Sequence, residues 1–464
     1  MQARFSNLTR LILALAALTF AMPVALGQGR IPNFPPGIAL PDDTGRHGVV
    51  WLGGDSPIGA SLGPDLSFWA FGDTFIGDPA APSRRLDRVV ANTIAIGQTQ
   101  SGTFVPRYFY RGTFDARQAF FPDPDPSHKY WPKAVLVLRG KLYVFLSLIY
   151  VNLNKGADDP LGVLDTGCVV ARVNNPTEMP TRWSVDYITL HVERRPSQAR
   201  LKPVVEVIPA DGGRSLIVYG FFNDEPSNTN RSVVLLVASD ALENAPTGTD
   251  VDPSRVQYLS AGPGNANPTW KPGFGRWETG PGDYFDTRID SVSGFTVRWN
   301  SILAKWQVVG ADSQFAAASP WPRGNPFHPK PTARIFLHPT PFGPFAGTPE
   351  SITQEFFTFP ELRNPPDESI YCYCAHQWQD PTEPTLSSDA NLLLTYTYSS
   401  RDFNRLLADP ATYQNKSVFL QNPYSGAQAN PDVARAPMPP LNVRTIPDPF
   451  AAPGAPKPLP FPPR

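Results

Sequence analysis

The chain reads as an all-β protein, and within that class as a five-bladed β-propeller, on three observations. Proline makes up 55 of its 464 residues, a density that disfavours helix because proline lacks an amide proton and clashes with the preceding turn. Short apolar runs recur throughout and are punctuated by Gly, Pro, Asn and Asp, the pattern of short strands joined by loops that sandwiches, barrels and propellers share. A phrase of apolar strand, polar turn and aromatic-rich strand also returns at intervals of about 70 to 80 residues. It stands in LSFWAFGDT, VLVLRGKLYVFLSL, RSLIVYGFFND, FTVRWNSILAKWQVVGAD and the segment from SIYCYCAHQ to NLLLTYTYSS. Five such units in roughly 390 residues fit five blades of four strands, with a single large sandwich as the competing reading.

The two ends are expected to lie outside that fold. Arg4 and Arg10 accompany an apolar run from Leu11 to Met22, too short to span a bilayer. Ala25-Leu26-Gly27 then offers a small-x-small cleavage site. Residues 1–27 are therefore expected to be a signal peptide, 28–46 a linker, 47–422 the propeller and 423–464 a proline-rich tail that is disordered or polyproline II-like. No second apolar run reaches membrane length and no lipid-attachment cysteine stands near the cleavage point, so the expected product is secreted, extracellular or periplasmic. Its 40 basic and 41 acidic residues nearly cancel, which removes any argument for nucleic acid or an anionic membrane as partner.

In chain order the strands are expected at Val49–Gly53, Leu66–Gly72, Val89–Ile96, Phe104–Tyr110, Ala134–Tyr150, Cys168–Val173, Val204–Ile208, Ser215–Phe222 and Ser232–Ala238. They continue at Phe295–Trp299, Trp306–Val309, Arg334–Leu337, Ile370–Ala375 and Leu392–Tyr398. Each is an apolar or alternating run bounded by turn residues.

The first two strands each run into a Gly-Asp step, Gly54-Asp55 and Gly72-Asp73. Gly-Asp is ordinary turn chemistry. An unpaired Asp at the mouth of a buried strand is costly, however, and such groups are normally paired, hydrogen-bonded or functional. Two of them predict a shared pocket. Paired carboxyls are what glycoside hydrolysis needs, one to protonate the leaving oxygen and one to attack or to activate water. A gap of about 5 Å between them favours retention and about 6.5 to 9.5 Å inversion.

LSFWAFGDTFIG followed by VVANTIAIG resembles the opening blade of an exported five-bladed propeller family long known only as a domain of unknown function. KYWPKAVLVLRGKLYVFLS, SGFTVRWNSILAKWQVVGAD, TARIFLHPTPFGPF and IYCYCAHQ leading into LLLTYTYSS agree with it, in the right order, over about Val49 to Ser400. The enzymes of that family are endo-D-arabinofuranosidases that cut D-arabinan of mycobacterial-type walls. The resemblance implies catalysis by two aspartates near the N-terminus, which here match Asp55 and Asp73. YCYCAHQWQD departs from the plainer aromatic-Ala-His-Pro phrase of the family, and the proline tail is an addition.

Around the pair, the expected sugar-binding shell is Asn92, Trp131, Arg298, Asn300 and His376. Asn92 follows the strand rhythm of the family's inward-facing Asn, with an edge or turn amide as the alternative. Trp131 offers an indole on which a sugar ring stacks, or else a core aromatic. Arg298 and Asn300 flank Trp299 and share the face opposite to it. His376 closes the YCYCA strand, as a pocket or a structural residue. Glu206 and Asp286 are further candidate carboxylates.

Cys372 and Cys374 alternate with tyrosines and are poorly placed to bridge each other; either a bridge from one of them to Cys168 or three buried thiols fits. A metal site lacks a fourth ligand, and no cofactor is implied. No Gly-x-Ser-x-Gly, P-loop, His-Glu-x-x-His or dinucleotide fingerprint occurs. The expected function is thus a secreted, monomeric glycoside hydrolase that cleaves a furanose-rich polysaccharide, D-arabinan by endo action first, with two carboxylates. The alternatives are a non-catalytic carbohydrate-binding propeller and a cell-surface interaction protein.

Overall fold

The computed structural model describes residues 31–41, 48–78, 83–113, 115–151, 163–192, 201–224, 229–261, 268–274, 284–289, 294–311, 332–366, 369–378, 389–400 and 402–424. The expected signal peptide and nearly all of the proline-rich tail lie outside the described residues. What is described is almost entirely β. Its α-helices are one of five residues, Ser239–Glu243, and one of six, Phe403–Ala408. No helix among the described residues is long and apolar enough to cross a membrane.

Antiparallel sheets follow one another along the chain. Sheet I is Ile58–Gly63, Leu66–Phe71, Thr93–Gln100 and Thr103–Phe109. Sheet II is His128–Leu138, Lys141–Val151, Val163–Val173 and Val185–Val192, with Thr249–Asp250 added in parallel at its rim. Sheet III is Leu201–Ala210, Ser215–Asp224, Thr229–Ala238, Val256–Ser260 and Thr269–Pro272. Sheet IV is Phe295–Asn300, Lys305–Ala311, Thr332–His338 and Ile352–Thr358. Sheet V is Ile370–Trp378, Asn391–Ser400 and Gln414–Gln421.

The first strand of each sheet touches the first strand of the next, and Ile370–Trp378 returns to Ile58–Gly63, so the order is cyclic. A separate core fills each junction. Phe68 and Ile94 meet Val144 and Leu146 between sheets I and II. Phe145 and Val170 meet Val204 and Val218 between II and III. Ile217 and Tyr219 meet Val297 and Val308 between III and IV. Val309 and Ile335 meet Leu392 and Tyr396 between IV and V. Trp69 and Trp378 close the circle from sheet V to sheet I, with ring centroids 5.4 Å apart. Fully burying a side chain of this size contributes about 1.5–3 kcal/mol, so the stability sits between sheets, in the arrangement of a propeller.

Departures from the expected strands have local causes. The run Ala134–Tyr150 is two strands turning at Arg139-Gly140, both at positive φ (50° and 75°), as a two-residue hairpin whose twist matches its strands requires. Val89–Ile96 breaks after Val90 and resumes at Thr93. Strands of the rim, such as Ile352–Thr358, are exposed along much of their length and carry little of the apolar signal that marks inner ones.

A further small sheet, Ile38–Pro41, Gly48–Gly54, Thr74–Gly77 and Val89–Val90, carries the first Gly-Asp step into sheet I. Its Val50, Leu52 and Phe75 pack on Leu406 and Tyr413 near the end of the described chain. Buried Arg84 locks this junction, donating to the carbonyls of Leu52, Leu406, Asp409 and Pro410.

Candidate active site

Two Gly-Asp steps meet because the strands that carry them are neighbours. Asp55 leaves Gly48–Gly54, Asp73 precedes Thr74–Gly77, and those strands pair with Gly54 opposite Thr74. The amide of Asp55 donates to the carbonyl of Asp73 at 3.0 Å, and the amide of Gly72 donates to the carbonyl of Asp55 at 2.8 Å. Thr74 turns its hydroxyl back onto the Gly72 carbonyl at 2.7 Å. Two glycines here leave room for close approach, Gly53 strictly and Gly72 less so. A Cβ on Gly72 would stand 3.3 Å from Asp55 Cβ, and one on Gly53, at φ +141°, would strike the Tyr413 carbonyl oxygen at 2.3 Å.

The two carboxyls have different surroundings. Asp73 keeps part of its surface open, yet burial and then the Asp55 charge push its pKa from the usual carboxylate range up to about 7. Trp131 opposes this, donating from Nε1 to Asp73 Oδ1 at 2.9 Å, and so do the charges of Lys129 and Lys133. Asp55 accepts instead from the Ser56 hydroxyl, at 2.7 Å on Oδ1. An acid able to hold its proton near neutral pH beside a hydrogen-bonded carboxylate is the division of labour that acid–base hydrolysis uses.

Aromatic rings surround the pair. Trp131 is half-buried and lies 5.5 Å from Lys133 Nζ at its ring centroid. Tyr371 and Tyr373, also half-buried, lie side by side with centroids 5.1 Å apart. Burial and then the Asp55 charge hold the Tyr373 hydroxyl well above its ordinary pKa. Tyr413 donates its hydroxyl to the Asp73 carbonyl at 2.9 Å, and burial and then the charges of Asp55 and Asp73 keep it protonated. The alternating aromatics of YCYC were the available signal for Tyr371 and Tyr373. Lys133 follows Trp131 by two positions on one strand, so alternation was its signal; Tyr413 had none, since only the ring of sheets brings it to the pair.

An axial cavity of about 30 Å³, lined by neither aspartate, takes residues from all five inner strands, Gly59, Lys133, Glu206, Arg298 and His376 among them. That volume holds about one water. Arg298 pairs with Glu206 at 3.4 Å, and the amides of Val207 and Val297 also donate to that carboxylate. Burial raises the Glu206 pKa, and Arg298 opposes the shift. Burial, and then the charges of Lys133 and Arg298, lower His376 to about 3, so its imidazole is neutral.

The structure thus brings Asp55, Asp73 and Trp131 together, and sets Arg298 and His376 in the axial cavity, which Lys133 also lines. Asn92 and Asn300 stand elsewhere. Asn92 is fully buried; its amide donates to the carbonyls of Phe121 and Tyr130, and its Oδ1 accepts from the Phe121 amide. It anchors the segment leading to Trp131 and leaves no arm for a ligand. Asn300 is 2% exposed and clamps a turn, accepting from the amides of Ile302 and Leu303 and donating to Gln307 and the Asp389 carbonyl. Its strand ends there, so the face shared with Arg298 leads out of the cavity. Asp286 accepts from the Arg288 amide as a turn residue.

All three cysteines are buried and none is in a disulfide, so no bridge to Cys168 forms. Cys372 packs in the core between sheets IV and V. A register shift after Tyr373 gives Cys374 a different environment. Among the described residues no group of three or more His, Cys, Asp or Glu is placed to hold a metal.

Comparison with known proteins bears on the fold. A family described as a domain of unknown function (DUF5005) matches residues 43–193, the segment holding both aspartates, Asn92 and Trp131. No curated protein matches the chain. A Bacteroides ovatus protein of known crystal structure, described provisionally as a hydrolase, is similar at a TM-score of 0.55 and 14% identity, over 87% of this chain and 98% of that one. A family 117 glycoside hydrolase from Zobellia galactanivorans matches at 0.39 and 10%, over 84% and 89%. An N-acetylgalactosamine deacetylase from F. plautii matches at 0.39 and 10%, over 75% and 80%. The first shares the fold; the other two are too distant to carry an argument.

Proposed function

We propose that this chain is an exported glycoside hydrolase on a five-bladed β-propeller, acting on a furanose-rich polysaccharide, with endo cleavage of D-arabinan as the leading substrate. The observation that carries the reading is Asp73: a carboxyl raised to about 7 by burial and by the Asp55 charge, and oriented by the Trp131 indole. In the proposed reaction Asp73 gives its proton to the leaving glycosidic oxygen. Asp55, held by Ser56, attacks the anomeric carbon or activates water. Trp131, Tyr371 and Tyr373 stack on the sugar faces flanking the bond. Arg298 and His376 form the floor, where a neutral imidazole exchanges hydrogen bonds with a hydroxyl without adding charge.

The test is to incubate the purified protein with a panel of polysaccharides, D-arabinan and L-arabinan included, and to look for released oligosaccharides. Asp55→Asn and Asp73→Asn should each abolish release while keeping affinity for the cut substrate. Binding without release by the unmodified protein would make the chain a carbohydrate-binding propeller instead.

A further inference from the structure

Ser56 and Cys374 are separated by 318 positions, yet their side-chain oxygen and sulfur lie 2.9 Å apart. Both are buried, at 3% and 2% exposure, and both hold positive φ, 49° and 53°. Non-glycine residues rarely adopt that conformation, and it persists only where the surroundings over-determine it. At Cys374 the cause is the register shift after Tyr373, a bulge of the kind that re-aims a side chain beside a functional site. At Ser56 the amide is fixed by Thr397 Oγ1 at 3.0 Å, and Thr397 in turn donates to Asn415. Sheet V therefore grips the residue after Asp55 at two points.

The Ser56 hydroxyl lies within hydrogen-bond distance of two acceptors, Asp55 Oδ1 at 2.7 Å and Cys374 Sγ at 2.9 Å, but it has one proton. A carboxylate is a far better acceptor than a thiol sulfur, so the proton goes to Asp55. The short contact to sulfur is then made by the thiol proton pointing at Ser56 Oγ. Desolvation disfavours a buried thiolate, so the sulfur carries the proton of this contact.

We propose that Cys374 is a positioning residue for Asp55: its S–H donates to Ser56 Oγ, which donates to Asp55 Oδ1, so that the last sheet of the ring orients the carboxylate that stands just before the first. No bond is made or broken and no proton is transferred. The assignment of Asp55 to catalysis rests on the hydrolase reading above; the direction of the hydrogen bonds does not.

Two measurements on the purified full chain test it. The first is the S–H stretching band in the infrared, with the Cys374 band isolated by subtracting the Cys374→Ser spectrum. Ser56→Ala should move that band toward the frequency of a free thiol; an unmoved band overturns the proposal whether or not the protein has turnover. The second is kinetics on whichever polysaccharide is cut. Cys374→Ala should lower kcat by about 2- to 10-fold, the worth of one hydrogen bond, with KM unchanged, while Cys374→Ser, which keeps a donor, restores it. Equal losses in both variants would mean that sulfur acts by packing, and no loss in Cys374→Ala would mean that it does nothing; either overturns the proposal. Thermal melts of each variant separate these outcomes from misfolding. If the unmodified protein cuts nothing, the hydrolase reading fails, and the infrared result still decides the thiol's role as donor.

Discussion

Asp55 and Asp73 are joined through their own backbones, the amide of Asp55 donating to the carbonyl of Asp73 at 3.0 Å. The separation of the two backbones is therefore set by the pairing of Gly48–Gly54 with Thr74–Gly77, and the side chains turn on that frame. It also explains the charge coupling, since the Asp55 charge is a cause of the raised pKa of Asp73 second only to burial.

Activity should therefore depend on pH through Asp73. As the acid it must be protonated, so kcat/KM should fall as pH rises through about 7. Stability moves in the same direction. A carboxyl whose folded pKa of about 7 exceeds its ordinary value of 3.8 binds its proton more tightly in the folded state. Its stabilising effect is full below pH 3.8 and is lost as pH rises through about 7. Asp73→Asn should thus melt above the unmodified protein at pH 8, with the gap closing by pH 4; equal differences at both pH values would contradict a buried, raised carboxyl.

Trp131→Phe separates the indole's two roles. It keeps an aromatic face but removes the Nε1 donor to Asp73 Oδ1, an interaction that lowers the acid's pKa. The basic limb of the rate profile should move to higher pH with substrate affinity largely retained. Titration of the Asp73 carboxyl by carbon NMR checks the same shift without turnover.

Asn92→Ala should act through stability. It strands the carbonyls of Phe121 and Tyr130 and the amide of Phe121, all partners of one buried amide group. At about 1–3 kcal/mol for each buried group left unsatisfied, a loss of several kcal/mol is expected in urea unfolding. A fall in sugar affinity with unchanged stability would instead place Asn92 in the binding shell.

The two glycines should respond differently. Gly53→Ala forces a Cβ into the Tyr413 carbonyl oxygen at a φ that L-residues avoid, and should destabilise by about 2 kcal/mol or more. Gly72→Ala meets the side chain of Asp55 at 3.3 Å, a contact that moves the carboxylate by a few tenths of an ångström. Its expected signature is a drop in kcat with little change in melting temperature.

Much of the all-β character was legible because proline and alternating apolar runs are local signals. The second strand of each sheet, such as Leu66–Phe71 or Asn391–Ser400, apolar on both faces, was read nearly to its ends; the innermost strand Ile58–Gly63, half-exposed along most of its length, was missed, and so were rim strands such as Ile352–Thr358, which face water. The Gly-Asp steps were legible too, as charges that follow apolar strands. What the chain alone could not show is which partner each side chain finds. Arg298 and Asn300 share a face by alternation, yet only Arg298 lines the cavity, because the strand ends at Asn300. Asn92 reads as a pocket residue but spends its amide on Phe121 and Tyr130. Cys374 and Tyr413 join the site only when the ring closes. Local order follows from neighbours in sequence; the contact of Ser56 with Cys374, 318 positions away, and the raised pKa of Asp73 depend on packing and burial, which only the assembled sheets supply.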